Sequence, residues 1–323
     1  MTKFMNSEKN IQTLTVGGLF AGIGGIELGF KKAGFNIKWA NEIDKNAAIT
    51  YRKNHKHKLF EKDLKELDSN EVEDIDILTG GFPCQAFSVA GYRKGFEDDR
   101  GNVFFEILRF IDDKNPSVIF LENVKNLVGH DDGNTFTRIK NELSNRGYFL
   151  NYKVLNSSEY ANIPQNRERI YIVGFKDKSA YNNFQFPEPI KLTKTINDLV
   201  DDEADEKFYY SNSRYYNQLK KEMKNKDTVY QWRRKYVREN KSKLCPTLTA
   251  NMGTGGHNVP LIIDKKDIRK LTPRECARFQ GYDDKFILCD SLAPSHLYKQ
   301  IGNSVTVPVI EVIAKEIKKA LNV

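Results

Sequence analysis

The stretch that decides the fold is residues 14–25, with the sequence LTVGGLFAGIGG. Its first half, residues 14–20, predicts a buried strand, and the pattern of residues 25–32 predicts a helix directly after it. Glycines between a strand and a helix let the backbone approach a ligand closely, although a tight structural turn is the alternative. The stretch is not the dinucleotide fingerprint G-x-G-x-x-G, because Glu27 stands where the third glycine would be.

Apolar runs alternate with helical patterns along the rest of the first half. The further predicted strands span residues 35–40, 75–78, 117–121 and 169–175. Strands that alternate with helices indicate βαβ units, and helices on both faces make a sheet doubly wound. The predicted fold class is therefore α/β, Rossmann-like, with a doubly wound and mostly parallel sheet.

The pattern changes near Pro187, and the chain then stays polar, basic and irregular until about residue 265. A helix is predicted over residues 272–281, with Thr272 as the N-cap, and a last amphipathic helix over residues 307–321. These features predict a larger α/β domain and a smaller irregular lobe with a hinge. The predicted domains are, in that order, residues 1–183 plus 296–323 and residues 184–295.

The positive charge of the chain is concentrated in one segment. The 323 residues have a formal net charge of +8, and residues 207–243 hold twelve Lys or Arg, three Asp or Glu, and eight aromatic residues. Such a segment indicates a nucleic-acid surface, and a solvated charged face is the alternative. No apolar run is long enough to span a bilayer, which predicts a cytoplasmic protein without a membrane partner.

Cys84 stands in the most distinctive setting of the four cysteines. It follows the predicted strand 75–78 in the segment GGFPCQAFS, residues 80–88. A loop at the carboxyl end of a parallel strand lies at the ligand edge of the sheet, where a thiolate is exposed to act as a nucleophile. The alternative is a small buried side chain. The remaining cysteines, for which no C-x-x-C spacing predicts a metal site, are Cys245, Cys276 and Cys289.

Acidic residues follow three of the strands. Glu42 of NEID (residues 41–44) is placed to bind a ribose diol, and Asp63 with Leu64 is placed to face an adenine. Glu122 ends the strand that begins at residue 117, where partial desolvation favours the protonated carboxyl. Solvated, helix-capping or ion-paired acids are the alternatives.

Two later segments complete the pattern. Arg167 and Arg169 of QNRER (residues 165–169) point the same way on an extended chain and are suited to bind a pyrimidine carbonyl, a phosphate or a carboxylate. A surface ion pair with Glu168 is the alternative. The segment YKQIGNSV, residues 298–305, is interpreted as a polar turn before the last helix.

In this order, the segments closely resemble the DNA cytosine-5 methyltransferases of the bacterial and phage restriction-modification type. The matching segments are FAGIGG, NEID, GGFPCQAFSVAG, FLENV, QNRERIYIVGF, LTPRECARFQGY and YKQIGNSV, which run from Phe20 to Val305. The resemblance implies transfer of a methyl group from S-adenosyl-L-methionine, with S-adenosyl-L-homocysteine as the product, to C5 of a cytosine flipped out of double-stranded DNA. It also implies that the larger domain is catalytic and that the smaller lobe recognises the target.

The resemblance implies a role for each matching position. Cys84 would be the nucleophile, and Glu122 would hold N3 and the amino group of the cytosine. Arg167 would reach O2 of the base, with Arg169 supporting the loop. The positions expected around S-adenosyl-L-methionine are Phe20, Ala21, Gly22, Ile23, Gly24, Gly25, Glu42, Ile43, Asp63, Leu64, Pro83, Val103, Asn303 and Val305.

Contacts with DNA are expected from the loop of residues 85–100 and from the smaller lobe. Arginines there would read guanine edges, and a Thr-Leu turn would lie beside a phosphate. Phosphate contacts by the same arginines are the alternative. The expected DNA-binding residues are Gln85, Ser88, Arg93, Arg233, Arg234, Arg238, Thr247 and Thr249.

Three rival functions are less consistent with the sequence. A transfer-RNA cytosine methyltransferase would have its own signature after the glutamate segment, a catalytically inactive relative would have lost Cys84 or Glu122, and a nicotinamide-dependent oxidoreductase would need the third glycine. We expect a monomer, since one flipped base needs no second subunit. A genetically linked restriction endonuclease is the expected functional companion.

Overall fold

The computed structural model describes residues 13–82, 102–233, 236–254 and 258–323. Six of the residues predicted to act in the site lie outside the described residues. They are Pro83, Cys84, Gln85, Ser88, Arg93 and Arg234.

One large sheet organises the first half of the chain. The strands of this half are β1 (Thr15–Leu19), β2 (Asn36–Asn41), β3 (Lys58–Phe60), β4 (Ile77–Gly81), β5 (Val118–Val124), β6 (Phe149–Asn156), β7 (Gln165–Asn166) and β8 (Glu168–Phe175). Seven of these described strands form the sheet in the order β3-β2-β1-β4-β5-β8-β6. Neighbours from β3 to β5 are parallel, whereas β8 is antiparallel to both β5 and β6. The predicted mostly parallel sheet is confirmed, and β6 is a strand that the sequence did not predict.

Helices cover both faces of this sheet. The helices of the described residues are α1 (Gly25–Lys32), α2 (Lys45–Asn54), α3 (Asn102–Lys114), α4 (Asn134–Asn145), α5 (Ser157–Tyr160), α6 (Lys178–Asn183), α7 (Tyr216–Glu222), α8 (Pro273–Phe279), α9 (Pro294–Asn303) and α10 (Val307–Ala320). Side chains of β5 alternate between two cores, because successive residues of a strand point to opposite faces. Ile119 packs with α3 and α4, whereas Phe120 packs with α1 and α10. This arrangement confirms the doubly wound architecture.

The glycine-rich turn after β1 needs an unusual backbone. Phe20, Gly22 and Gly24 all have positive φ, at 55°, 57° and 86°. L side chains rarely adopt this region, so the glycines lower the cost of the turn while Phe20 accepts strain. The turn ends in the left-handed N-cap Gly24, after which α1 has the predicted bounds.

The smaller lobe contains a sheet of its own. Its strands are β9 (Tyr230–Trp232), β10 (Val237–Glu239), β11 (Cys245–Pro246), β12 (Pro260–Ile263) and β13 (Ile268–Lys270). Within the described part of the chain, β10, β9, β12 and β13 form an antiparallel sheet in that order, and β11 pairs with β7. This small sheet was not predicted, because strands of three or four residues give too short an alternation to identify from sequence.

A buried charge cluster fixes the start of α8. Arg269 is fully buried and binds both oxygens of Glu275 at 2.7 and 2.8 Å, while its Nε binds Asp264 at 2.5 Å. Thr272 caps the helix in a capping box with Glu275, and Pro273 is its first residue, as predicted.

The described residues contain no helix that is long and apolar enough to cross a membrane.

The segment before the last helix corrects one prediction. Residues 298–303 belong to helix α9 and not to a polar turn. Leu297, Tyr298 and Ile301 are buried against the core shared by the two lobes. Ile301 follows the other two by four and three residues, which is the spacing of one face of a helix. The three remaining cysteines, Cys245, Cys276 and Cys289, are buried.

Candidate active site

The carboxyl ends of β1 and β2 are joined by Glu42. Its carboxyl accepts hydrogen bonds from the backbone N–H of Gly22 and from that of Asp44, each at 2.7 Å. Burial raises the pKa of Glu42, while these backbone donors act in the opposite direction. The acid that the sequence placed at a ribose therefore also fixes the glycine-rich turn.

The space over this turn is open among the described residues. A Cβ placed on Gly22 would meet no atom within 4 Å, so the space above the turn is free among the described residues. Ile43 leaves 58% of its surface exposed at the end of β2, although a side chain of this kind is usually buried. Leu64 is buried, and Asp63 accepts a hydrogen bond from the backbone of Lys65 at 3.0 Å.

The segment after α9 closes the other side of the glycine-rich turn. A Cβ on Gly25 would lie 2.8 Å from side-chain atoms of both Ser304 and Val305, so this close approach requires glycine. Asn303, at the end of α9, is exposed beside them. The structure thus brings together residues that are almost three hundred positions apart. Val103, in contrast, packs partly buried against the core formed by α3 and α4.

Glu122 and Arg169 form an ion pair at the end of β5. Nε of Arg169 lies 3.2 Å from Oε1 of Glu122, and both side chains are largely buried. Burial raises the pKa of Glu122, and the charges of Arg169 and then Arg167 act in the opposite direction. The direction agrees with the predicted tendency of this carboxyl to hold a proton.

The chain that leads to Cys84 starts beside this pair. Gly81, the last residue of β4, is paired with Glu122 across the sheet. The carbonyl of the next residue, Phe82, accepts a hydrogen bond from the side-chain amide of Asn123 at 3.0 Å. Sequence reasoning missed the role of Asn123, although it lies inside the motif FLENV. The cysteine is two residues further along the chain.

The two arginines of QNRER are placed differently from the sequence-based expectation. Arg167 is 2% exposed and donates hydrogen bonds to the carbonyls of Leu248, at 2.8 Å, Gly302, at 3.1 Å, and Ser304. The expectation that Arg167 reaches the base and Arg169 supports the loop is therefore corrected. The guanidinium of Arg167 is engaged with backbone, whereas Arg169 lies against Glu122.

The residues expected to read DNA are on a hairpin and a turn of the smaller lobe. Arg238 is exposed on β10, whereas Nη1 of Arg233 donates to the side chain of Asn258 at 3.0 Å. Thr247 donates from its hydroxyl to the carbonyl of Asn166 at 2.7 Å. The hydroxyl of Thr249 donates to Asn251 at 2.7 Å. Of these four side chains, only that of Arg238 has no described hydrogen bond and extends from the surface.

The family model of the C-5 cytosine-specific DNA methylases matches residues 14–319. The chain belongs to this family. The methylase is 59% identical over 314 residues to the type II methyltransferase M.Bsp6I of Bacillus sp. (strain RFL6), which covers 95% of this chain and 99% of that protein. It is 38% identical over 330 residues to the type II methyltransferase M.HhaI of Haemophilus parahaemolyticus, and this match covers 98% of this chain and 97% of that protein. The solved structure of S. pombe Dnmt2 shares the fold, with a TM-score of 0.76 at 22% identity over 96% of this chain and 100% of that one.

The methylase is thus an enzyme, a DNA (cytosine-5)-methyltransferase. The open space over Gly22 and the Glu122–Arg169 pair both lie at the carboxyl ends of parallel strands. Ligands of doubly wound sheets bind at this edge. Gln165, which sequence reasoning did not single out, is fully buried and donates to the carbonyl of Phe279 at 2.6 Å.

Proposed function

We propose that the methylase flips a target cytosine out of duplex DNA and transfers a methyl group to its C5 with Cys84 as the nucleophile. The observation that carries this proposal is the buried Glu122–Arg169 pair, located where the chain leaves β4 toward Cys84. A cytosine cannot meet such a pair inside a stacked duplex, so it must be extruded, which costs a few kcal/mol of stacking and pairing.

Each group has a defined task in this mechanism. The thiolate of Cys84 adds to C6, and the electron pair of the C5–C6 bond becomes available at C5 to attack the methyl group. Glu122 in its protonated form donates to N3, and Arg169 donates to O2, so both offset the negative charge that develops on the ring. A base then removes the C5 proton, and elimination of the sulfur restores the C5–C6 double bond and frees Cys84.

S-adenosyl-L-methionine would bind in the open space over Gly22. When bound, it supplies an electrophilic methyl group on a sulfonium. Glu42 would accept from the ribose hydroxyls, Ile43 and Phe20 would pack against the adenine, and Asp63 would face its amino group. The exposure of Ile43 supports this assignment, because 58% of an apolar side chain is left without a packing partner among the described residues. Asn303 and Val305 would close the other side.

The smaller lobe would recognise the DNA. We propose that residues 1–183 plus 296–323 form the catalytic domain and residues 184–295 the target-recognition lobe. Exposed Arg238 is the best-placed reader of a base, because Arg233 is engaged with Asn258. The curated relatives are named type II methyltransferases, which supports a role in protecting DNA from a linked endonuclease.

Transfer of labelled methyl from S-adenosyl-L-methionine to duplex DNA and to transfer RNA tests the proposal. Bisulfite sequencing of the product is expected to show 5-methylcytosine in DNA at one short motif. Cys84→Ser is expected to remove turnover and retain DNA binding. Label in RNA alone, or turnover of Cys84→Ser above about a hundredth of wild type, would contradict the proposal. Resistance of the product to endonucleases that recognise the same motif tests the protective role.

A further inference from the structure

The backbone N–H and the backbone carbonyl of Leu248 are both bound by one short segment. Its N–H donates to Oε1 of Gln165 at 3.2 Å, and its carbonyl accepts from Nη1 of Arg167 at 2.8 Å. Between them, the carbonyl of Asn166 accepts from the hydroxyl of Thr247 at 2.7 Å. Three consecutive residues of the larger domain thus clamp the Thr-Leu turn of the smaller lobe.

The clamp continues directly into the catalytic pair. Arg169 is two residues after Arg167, on β8, and its guanidinium lies 3.2 Å from Glu122. Strand β8 is hydrogen-bonded to β5 and β6 on its two sides, so it is a rigid support. A displacement of residues 165–167 is therefore transmitted along a short, paired stretch of backbone to Arg169.

Arg167 is an unusual choice for a purely structural contact. It is 2% exposed, its hydrogen bonds go to three neutral carbonyls, and its Nε has no partner in the described part of the chain. A buried guanidinium that is not paired with a carboxylate is costly, and an apolar residue of similar size would avoid that cost. The presence of this cation next to Arg169 indicates that the position of Arg167 matters to the site.

We propose that Gln165 and Arg167 are positioning residues, which clamp Leu248 so that the place of the recognition-lobe turn sets the place of the Arg169–Glu122 pair. DNA that engages this turn thereby fixes the catalytic pair for the flipped base. The inference rests on the proposed function. It adds that neither side chain touches the substrate and that both act on the Arg169–Glu122 pair.

The variants Arg167→Met and Arg167→Lys test this coupling. Methionine removes the charge and all donors, whereas lysine retains the charge and can reach one or two of the three carbonyls. We expect the rate of a single turnover to fall about 100-fold in Arg167→Met, since misplacement of about 1 Å has this effect, and to recover about tenfold in Arg167→Lys. The rate is measured with S-adenosyl-L-methionine and duplex DNA both saturating, so that a fall in the rate reports misplacement of the catalytic pair and not weaker binding of either ligand.

A second pair of measurements separates positioning from a structural role. Combining Arg167→Met with Arg169→Lys should lower the rate no further than Arg169→Lys alone, because residues that act as one unit are not additive. Hydrogen exchange of residues 246–250 should accelerate in Arg167→Met and in Gln165→Met, a readout that does not depend on activity. The proposal would be overturned if the rate losses of Arg167→Met and Arg169→Lys multiplied in the double variant. It would also be overturned if Arg167→Met lowered the rate without changing the hydrogen exchange of residues 246–250. Methyl transfer to DNA by the wild type is the reference for the rates. If the wild type shows no such transfer, the proposed function is contradicted. The hydrogen-exchange measurement still tests the clamp in that case.

Discussion

Glu27 is a buried carboxyl that lacks a partner, and its replacement should stabilise the methylase in a strongly pH-dependent way. The side chain is 1% exposed in the first turn of α1, and neither carboxyl oxygen has a hydrogen-bond partner among the described residues. It lies against Gly18 of β1, where a Cβ would clash with Oε1. Burial raises the pKa of Glu27 from its ordinary 4.5 to about 8, and the nearby charge of Glu42 adds to the effect.

The sign of the effect follows from proton binding in the two states. Between pH 4.5 and about 8 the unfolded chain releases the proton of Glu27 and the folded chain keeps it, so the free energy of unfolding falls as the pH rises. The pKa difference corresponds to on the order of 5 kcal/mol of lost stability above pH 8, at 1.36 kcal/mol for each pKa unit. Glu27→Gln keeps the shape of the side chain and has no proton to lose.

Urea unfolding of wild type and Glu27→Gln from pH 5 to pH 9 measures this effect. The two proteins should differ by less than about 1 kcal/mol at pH 5, and the variant should be more stable by several kcal/mol at pH 9. His55 and His57, whose pKa values burial lowers to about 4, titrate in both proteins and so cancel in the difference. The exposed control Glu159→Gln should follow the wild-type curve at every pH. A constant difference between wild type and Glu27→Gln would refute the reasoning, because it would mean that Glu27 is already ionised at pH 5.

Three further changes should have distinct effects. Glu122→Gln should slow single-turnover methyl transfer by about 100-fold or more, because an amide cannot supply the proton that the raised pKa lets the carboxyl hold, and cofactor affinity should be retained. Glu275→Ala should lower the free energy of unfolding by about 3–5 kcal/mol in urea titrations, because it leaves the cation of fully buried Arg269 with one carboxylate. Gly24→Ala should weaken S-adenosyl-L-homocysteine binding at least about tenfold in calorimetry, because its φ is +86° and a Cβ would clash with Nε2 of His55. Wild-type values in any of these assays would contradict the contact concerned.

The elements that the sequence predicted well are those with local causes. Helix α1 has the predicted bounds because a turn of positive φ must end before a helix can begin, and glycines mark that turn. Helix α8 begins as predicted because Thr272 and Pro273 are start signals that act within one turn. The Glu122 carboxyl was placed correctly in a buried setting, because it directly follows four apolar residues of a central strand.

The elements that were missed depend on tertiary packing. Strand β6 is an edge strand with a half-exposed pattern, and it is held by its pairing with β8 more than by an alternation of its own. Helix α9 contains Gly302 and several polar residues, so its local preference for a helix is weak. Gly302 is required because a Cβ there would clash with the backbone of Thr249, a contact that only the folded chain creates.

The different placement of the two arginines has a specific physical cause. Residues i and i+2 share a side of the chain only while a strand continues through both. Here β7 ends at Asn166 and β8 begins at Glu168, so Arg167 lies in the gap, where the period of two is broken. Its side chain extends to the smaller lobe, and that of Arg169 extends to Glu122. The interruption is not visible in the letters QNRER.

The burial of Glu27 is a second feature that the local sequence does not predict. An acid in the first turn of a helix is favoured by the helix dipole, which predicts an exposed and ionised carboxylate. The fold instead turns this position toward β1, where Gly18 leaves room for a carboxyl but offers it no donor. A leucine of similar size would fill that space without the cost of burying a polar group. The acid therefore lowers the stability of the helix that follows the glycine-rich turn. In the proposed function this turn admits and releases the cofactor, for which lower local stability is useful.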